Sequence, residues 1–393
     1  MGSLRKRETR RSVLLAVGWY DYRVHLGAAR YAREHNWILH SEMAHTGIIP
    51  KDWRGDGVLT SIGKNNAGTE LCAFVRKLAI PTVNMNADYE MPRTVLVQPD
   101  MATAGKQAAG HFLQRGFRSF LCYAECRDCT NMGYSGAFRR AIAEAGHECP
   151  IVWWWRRGGT EWTAAKRKQM KILRGTPKPL AVFATSDLLA LRVMAAGIDA
   201  GLLVPEDVAI MGCHNDQLEC ESAPIPLTSV ETNEEMIGYA GAAALDSLMS
   251  RAKRAKGPVV IPSGGVVARQ STDIYAVAHP AVRRTLVFMR DSSAKNIKTS
   301  DLVGVAGMSR RGLEKAFLQH LGRLPMQELR RLRFEAAQRL LRETDMKISA
   351  VASETGYRSG NTLGIVFRRT CGTSPRKWRR QNAAMRVDLA GAG

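Results

Sequence analysis

The chain has 393 residues, 45% of them hydrophobic and 24% charged, which is long enough for two or three domains and apolar enough for packed cores, so disorder is not the default expectation. Its formal net charge is +21, and residues 281–380 carry 22 Lys/Arg against 8 Asp/Glu, a density of positive charge that suits a polyanionic partner. No apolar run reaches the ~18 residues of a membrane span, and eight irregularly spaced cysteines in a chain this large make no disulfide framework, which points to reduced thiols in a cytoplasm.

Residues 1–10 read as a basic tail. Arg10-Arg11-Ser12-Val13-Leu14-Leu15 has the outline of a twin-arginine export signal, but the apolar stretch ends at Asp21 and no small-residue cleavage site follows. From residue 11 to about 248 short apolar runs alternate with amphipathic stretches, the pattern of βαβ units around parallel sheets. Strands are expected at 12–18, 37–40, 57–61, 82–84, 95–98 and 119–123, with helices at 24–34, 70–78 and 102–115. A second series places strands at 151–155, 181–184 and 208–212 and helices at 136–145, 164–173 and 188–200. Two successive sets imply two α/β lobes within one domain spanning 11–275.

Strands in such sheets aim their C-terminal ends at the ligand crevice. The residues just past them are therefore the candidates for small-molecule binding: Tyr20, Asp21, Asp100, residues 126–131, Ser186, Asp187, His214, Asn215 and Asp216. Asp187 also stands where an aspartate caps the helix that begins at 188. In Trp153-Trp154-Trp155, strand alternation turns at least one indole toward the cleft or an interface, for stacking on a sugar or for lobe packing. Cys122-x3-Cys126-x2-Cys129 has the spacing of the radical S-adenosylmethionine iron–sulfur motif, and His147 and Cys149 nearby also admit zinc. Cys122 falls inside an expected core strand, so ordinary thiols are the reading adopted; metal or redox sensing and a radical enzyme are the alternatives. No His/Asp/Ser triad, phosphate loop or paired-carboxylate motif is present, so neither an enzyme nor a bound cofactor or metal is expected.

Composition turns basic and rich in Gly and Pro at 252–262 and again at His279-Pro280, which places a linker over 276–283. Beyond it only helices are expected. Residues 299–307 form a short helix ended by Gly307, Ser309 caps the next, and Leu313, Phe317 and Leu321 bury one face of it. The same grammar recurs about 50 residues later with Ile348, Val351 and Ala352, a turn at Gly356, and a helix anchored by Leu363 and Phe367. Between them the helix 326–343 stacks Leu329, Leu332, Ala336 and Leu340 toward a shared core. Helix, glycine turn and helix is the unit that reads double-stranded DNA, and two copies suit successive major grooves roughly 10 bp apart. Ser309, Arg310, Arg311, Glu314 and Lys315 face solvent on the first reading helix, where arginine pairs with guanine and glutamate accepts from cytosine. On the second stand Ser359, Asn361 and Thr362, with Arg368 and Arg369 on the phosphate backbone. Gly364 within this helix and the apolar Ile365 weaken it as a reader. Residues 381–393 complete the chain as a tail.

Several ordered segments resemble known families. AREHNW, DGVL, IPTVN, HFLQRGFRSFLCYA, AFRRAIAEAG, LAVFATSDLLALRVMAAGIDAGLLVPEDVAIMGCHND and VARQST are similar to the effector domain of LacI/GalR-type regulators, itself similar to periplasmic sugar-binding proteins. About ten residues precede the first strand, too few for the DNA-binding headpiece of those regulators. AGMSRRGLEKAFLQHLGRLP, RFEAAQRLL and ISAVASETGYRSGNTLGIVFRRTCGTSPRKWR resemble the AraC/XylS-type DNA-binding domain over 281–380. The fused architecture resembles that of xylose-type sugar-operon regulators. It implies a homodimeric, cytoplasmic and nucleoid-associated activator of a sugar catabolic operon, with a sugar effector, double-stranded DNA and RNA polymerase as partners and no membrane. Two residues depart from the pattern: the family's sugar-associated aspartate is His214, and an arginine usual before AFRRAI is Tyr134, so the resemblance implies a ligand site there with altered chemistry.

Overall fold

Apolar runs without polar alternation are strands covered on both faces, and the computed structural model of the chain places them so: Leu180–Ala184 and Val208–Cys213 are buried at every position. The structure describes residues 10–382 except 64–68, 88, 90, 92–93, 126–128, 155–161, 251–256, 278 and 295. Two compact units emerge, one of Met1–His111 with Ser119–Asp273, the other of Phe112–Arg118 with Ile274–Gly393.

The first unit runs β1 (Ser12–Ala16), α1 (Tyr22–Glu34), β2 (Ile38–His40), α2 (Glu42–Thr46), β3 (Gly57–Thr60), α3 (Glu70–Leu78), β4 (Thr82–Asn84), β5 (Val95–Pro99), α4 (Met101–Gln114), β6 (Ser119–Ala124), α5 (Cys129–Glu144), β7 (Ile151–Trp153), α6 (Trp162–Gly175), β8 (Leu180–Ala184), α7 (Asp187–Asp199), β9 (Val208–Cys213), α8 (Gln217–Ser222), β10 (Thr228–Glu231), α9 (Glu234–Met249), β11 (Val259–Ile261) and β12 (Gly265–Val267). Two six-stranded sheets result, ordered β11-β5-β4-β3-β1-β2 and β12-β10-β9-β8-β6-β7. Every pairing is parallel except β10 with β12. Two lobes are present, but not as successive halves. The chain leaves the first sheet after β5, returns to it through α9 and β11, and ends on the second with β12, because α9 packs on β3, β4 and β5 although it follows β10. The crossing at Glu231–Glu234 is pinned by Asn233, whose N–H bonds Glu231 Oε1 at 2.7 Å and whose amide bonds the Pro262 carbonyl at 2.7 Å.

Helices α1 and α9 meet backbone to backbone at Gly27 and Gly238. A Cβ on Gly27 would strike the Glu235 carbonyl, and one on Gly238 the Val24 carbonyl. Around this crossing Arg30 pairs with Glu235 at 2.6 Å and lies over the Tyr239 ring.

The second unit is helical: α10 (Pro280–Asp291), α11 (Thr299–Ala306), α12 (Arg310–Leu321), α13 (Pro325–Glu343), α14 (Ile348–Glu354), α15 (Gly360–Cys371) and α16 (Pro375–Asn382). Its interior corrects the shared core expected along α13. Leu329 and Leu332 join one cluster with Leu302, Leu313 and Phe317, whereas Ala337 and Leu341 are buried in another with Val351, Leu363 and Phe367, against which Leu340 packs half-buried. At about 100° per residue these two pairs lie roughly 130° apart around the helix, so α13 presents a separate face to each half. Residues 112–118 also belong here. Arg323 donates to the Gln114 carbonyl at 2.5 Å, Arg331 to its side-chain carbonyl at 3.2 Å, and both arginines pair with the fully buried Glu328.

Two glycine substitutions separate close approach from mere helix weakness. Gly238→Ala forces α1 and α9 apart and is expected to lower unfolding free energy by about 1–3 kcal/mol. Gly364 in α15 is buried with no atom within 4 Å of an added Cβ, so Gly364→Ala is expected to raise stability by about 0.5–1 kcal/mol. Urea denaturation of each variant checks both signs.

Candidate functional site

Between the two sheets of the first unit lies a cleft with about 910 Å³ of empty space, open on one side and lined by Trp19, Tyr20, Asp21, His25, Asn131, His214 and Glu234 among others. Three chain features bring these residues together. Asp21 is the N-cap of α1 and accepts from Arg23 N at 2.8 Å. Thr130 and Asn131, expected in a loop, lie in the first turn of α5, which starts seven residues before the helix read from sequence. His214 follows β9 in a left-handed conformation, φ +93°, and Asn215 after it has φ +48°.

The charged groups of the cleft are closed into pairs. Arg23 chelates Asp21, Nε to Oδ1 at 3.0 Å and Nη2 to Oδ2 at 2.6 Å, and lies 3.9 Å from the Asp216 carboxylate. Burial disfavours its charge, but the Asp21 bonds outweigh this and hold the guanidinium firmly protonated. His214 Nδ1 lies 2.8 Å from Glu234 Oε1 and 3.2 Å from Thr232 Oγ1. Burial pulls the His214 pKa down, yet the Glu234 bond and charge raise it above the ordinary value. Glu234 shifts the other way: burial raises its pKa, and the His214 bond and charge bring it down to about 2. The result is an imidazolium–carboxylate pair in the cleft wall. Tyr134 is fully buried with its ring edge-on to His214, centroids 5.5 Å apart, and its hydroxyl has no hydrogen-bond partner among the described residues.

Other sequence candidates stand behind the cleft and hold its loops. Asp187 accepts from Ser229 Oγ at 2.5 Å and from Asp216 N at 2.7 Å; burial pushes its pKa to about 6, and the helix cap is Ser186, not Asp187. Asn215 bonds Glu231 and Arg269, Asp216 caps α8, and Asp100 accepts from Thr103 at the start of α4. Ser186 Oγ lies 3.3 Å from Glu125 Oε1. Sequence reasoning missed Arg23 and Glu234. Both occupy first helical turns, where charge reads as a solvated helix start; the signal for Arg23 was its place two residues past a strand-end aspartate. The cleft rim also carries Trp19, 68% exposed, and Tyr20, whose hydroxyl meets His25 Nδ1 at 3.1 Å. Trp154 packs on the second lobe's core with Arg192 over its ring rather than lining the cleft, and Trp155 lies outside the described residues. Cys122 is buried in β6 with its thiol pKa pushed well up by burial. Cys126 and the side chain of Cys129 lie outside the described residues, among which no His/Cys/Asp/Glu group suits a metal.

In the helical unit, α11, a left-handed Gly307 (φ +66°) and α12 form one helix-turn-helix; α14, Gly356 (φ +72°) and α15 form the second. At Gly356 a Cβ would also strike the Ser293 carbonyl, so glycine is required there for space as well as conformation. Ser309 and Ser359 are N-caps, accepting from Gly312 N at 3.2 Å and Thr362 N at 3.3 Å. Arg310, Arg311 and Lys315 are exposed, and Arg310 Nε holds Glu314 Oε1 at 2.9 Å. Asn361, Thr362, Arg368 and Arg369 are exposed on α15 beside Ile365, which is 62% exposed.

Comparison with known proteins agrees with this geometry. Residues 109–272 match a family model described as a periplasmic binding protein-like domain, and residues 302–381 one described as a helix-turn-helix domain. The xylose operon regulatory protein of Escherichia coli K12 is 24% identical over 377 residues, 93% of this chain and 95% of that one. The helix-turn-helix-type transcriptional repressor PurR of Aliivibrio salmonicida is 27% identical over 206 residues, 51% of this chain and 59% of that one. A solved structure of a xylose-binding transcription activator superposes with a TM-score of 0.59 at 21% identity, covering 96% of this chain and 99% of that one. The cellobiose complex of the regulator CelR gives a TM-score of 0.54 at 22% identity over 67% of this chain and 85% of that one. The chain therefore joins a two-lobed, periplasmic-binding-protein-like α/β domain to a helical domain with two helix-turn-helix units, the build of the DNA-binding transcription regulators to which it is similar. Among regulators of that build it is similar over nearly its whole length to the xylose operon regulatory protein.

The His214–Glu234 pair has a definite pH signature. Its stabilisation is complete between the ordinary glutamate and histidine values, 4.5 and 6.5. It declines as pH rises through the raised value of His214 and as pH falls through about 2, where Glu234 protonates. Glu234→Gln is expected to flatten melting temperature against pH on both sides and to move the NMR titration of His214 to lower pH.

Proposed function

We propose that the protein is a sugar-responsive, sequence-specific transcription regulator that acts by binding rather than catalysis, and that its effector occupies the cleft lined by Tyr20, Asp21 and His214. The observation that carries this reading is the presence, in one chain, of a cleft between two sheets lined by Trp19, Tyr20, Asp21, His214 and Glu234 and of two helix-turn-helix units with exposed cationic reading helices. A sugar of the xylose type is supported by the xylose operon regulatory proteins to which the chain is similar. Trp19 and Tyr20 offer aromatic faces for a sugar ring, while His214 with Tyr134 behind it replaces the carboxylate and guanidinium of the resembled families. A hydroxyl-rich ligand here finds an imidazolium donor where those families offer an acceptor, which favours a different epimer or derivative.

The DNA partner is read unequally. Arg311 and Lys315 on α12 contact base edges or adjacent phosphates; Glu314 joins them once it exchanges Arg310 for a cytosine. The α15 end, with Arg368 and Arg369 beside Ile365, grips backbone more than sequence. Activation by a homodimer that engages RNA polymerase on the nucleoid, in the cytoplasm, completes the proposal; no helix among the described residues is long and apolar enough to cross a membrane.

The experiment is fluorescence anisotropy of the full chain on operator and scrambled duplexes, with and without D-xylose and related pentoses, across salt concentrations. One discrete site, affinity falling steeply with salt and a response to sugar are expected. Equal binding to every duplex overturns the regulator. On the same duplexes Arg311→Ala is expected to cost about 1–3 kcal/mol and to relax preference at one base pair, whereas Arg368→Ala weakens all sequences alike and reduces the salt slope by about one.

A further inference from the structure

One contact in the first unit joins the two lobes through a side chain that the sequence reading did not select. Arg23 belongs to α1 of the first lobe and is anchored there by its bidentate pair with Asp21. Its remaining arm, Nη1, reaches the second lobe and donates to the main-chain carbonyl of His214 at 2.5 Å. The receiving loop is fixed to its own lobe. Asn215 N bonds Ser229 Oγ at 3.0 Å, Asp216 N bonds Asp187 at 2.7 Å, and His214 N bonds the Val230 carbonyl at 2.9 Å. Two consecutive non-glycine residues hold left-handed backbone in this loop, a conformation that persists only where the surroundings impose it.

The loop cannot follow Arg23 if the lobes separate, and Arg23 cannot follow the loop without abandoning Asp21. Glu234, the other first-lobe partner of His214, differs in that it sits at the chain crossing itself, in the first turn of α9. We propose that Arg23 is the clamp of the cleft: a positioning residue whose bond to the His214 carbonyl exists only when the lobes are closed and which sets how tightly the effector is retained. This rests on the reading of the cleft as the effector site. The guanidinium is suited to the role because its planar fork binds a carboxylate with two donors while a third points elsewhere, a geometry lysine does not reproduce.

The consequence is kinetic. A clamp stabilises the closed, ligand-holding arrangement and so acts on ligand release. Losing the charge-assisted bond to the His214 carbonyl together with the Asp21 pair that anchors it, Arg23→Gln is expected to speed D-xylose dissociation, or that of the pentose found to bind, by tenfold or more with association little changed. Arg23→Lys, which keeps the charge, is expected to recover part of this.

Hydrogen–deuterium exchange of the full-length protein, without any sugar, gives a second readout. Faster exchange in Arg23→Gln confined to peptides covering 213–217 and 21–25, with Arg23→Lys intermediate, supports the clamp. Wild-type exchange in that loop overturns it. Faster exchange throughout the first unit overturns it as well, since Arg23 would then be a general prop of the fold. If no pentose binds the wild-type chain, the sugar reading fails while the exchange result still decides the clamp.

Discussion

The arrangement of the cleft depends on two glycines. Gly27 and Gly238 let α1 and α9 approach until each Cα faces a carbonyl of the other helix, and this crossing fixes where both helices begin. Asp21 and Arg23 stand at one start and Glu234 at the other, so a backbone contact in the first lobe brings an arginine and a glutamate to bear on the same residue of the second, His214. Side-chain chemistry at the cleft is thus subordinate to helix packing behind it. The same subordination holds at the floor, where Asp187 is buried against Gly212 and secures the strained loop at Asp216.

The electrostatic state of the cleft follows. With Asp21 held by Arg23 and Glu234 by His214, the cleft presents charges closed into ion pairs, next to the Trp19 indole and Tyr20 phenol at the rim. Desolvating such pairs costs less than desolvating single charges, because each charge keeps its partner when water leaves. Beneath that surface the buried Tyr134 hydroxyl has no hydrogen-bond partner among the described residues.

Much of the fold was legible in the sequence for local reasons. The helix-turn-helix units follow from serines with free amides to cap and glycines in left-handed turns, and the buried strands from unbroken apolar runs such as Leu180–Ala184. What the sequence concealed is non-local. Nothing in β10 or α9 announces that the helix packs on the other sheet, so two interleaved lobes read as two successive ones. Along α13, Leu329 and Leu332 continue smoothly into Leu340 on a helical projection, and only the two separate clusters reveal that the later half buries Ala337 and Leu341 in a second core, with Leu340 at its edge. Of the candidate site residues, Tyr20, Asp21 and His214 reach the cleft because strand ends point there; Asn215, Asp216 and Asp187 share that position in sequence but bond backward into the loop. Arg23 sits two residues past Asp21, but the carbonyl it bonds lies 191 residues away, which local pattern does not reveal.

The seven residues 112–118 carry a consequence for how such a protein can be taken apart. They lie in the middle of the α/β portion of the chain yet belong to the helical unit, where Gln114 meets Arg323 and Arg331 above the buried Glu328. A C-terminal fragment cut at residue 274 therefore carries every helix of the reader but not its whole interior, and a foreign sensor grafted onto that cut would have to supply a turn of its own to cover the arginines. Because the helical unit draws its residues from two separate stretches of the chain, exchanging it whole needs two seams, not one.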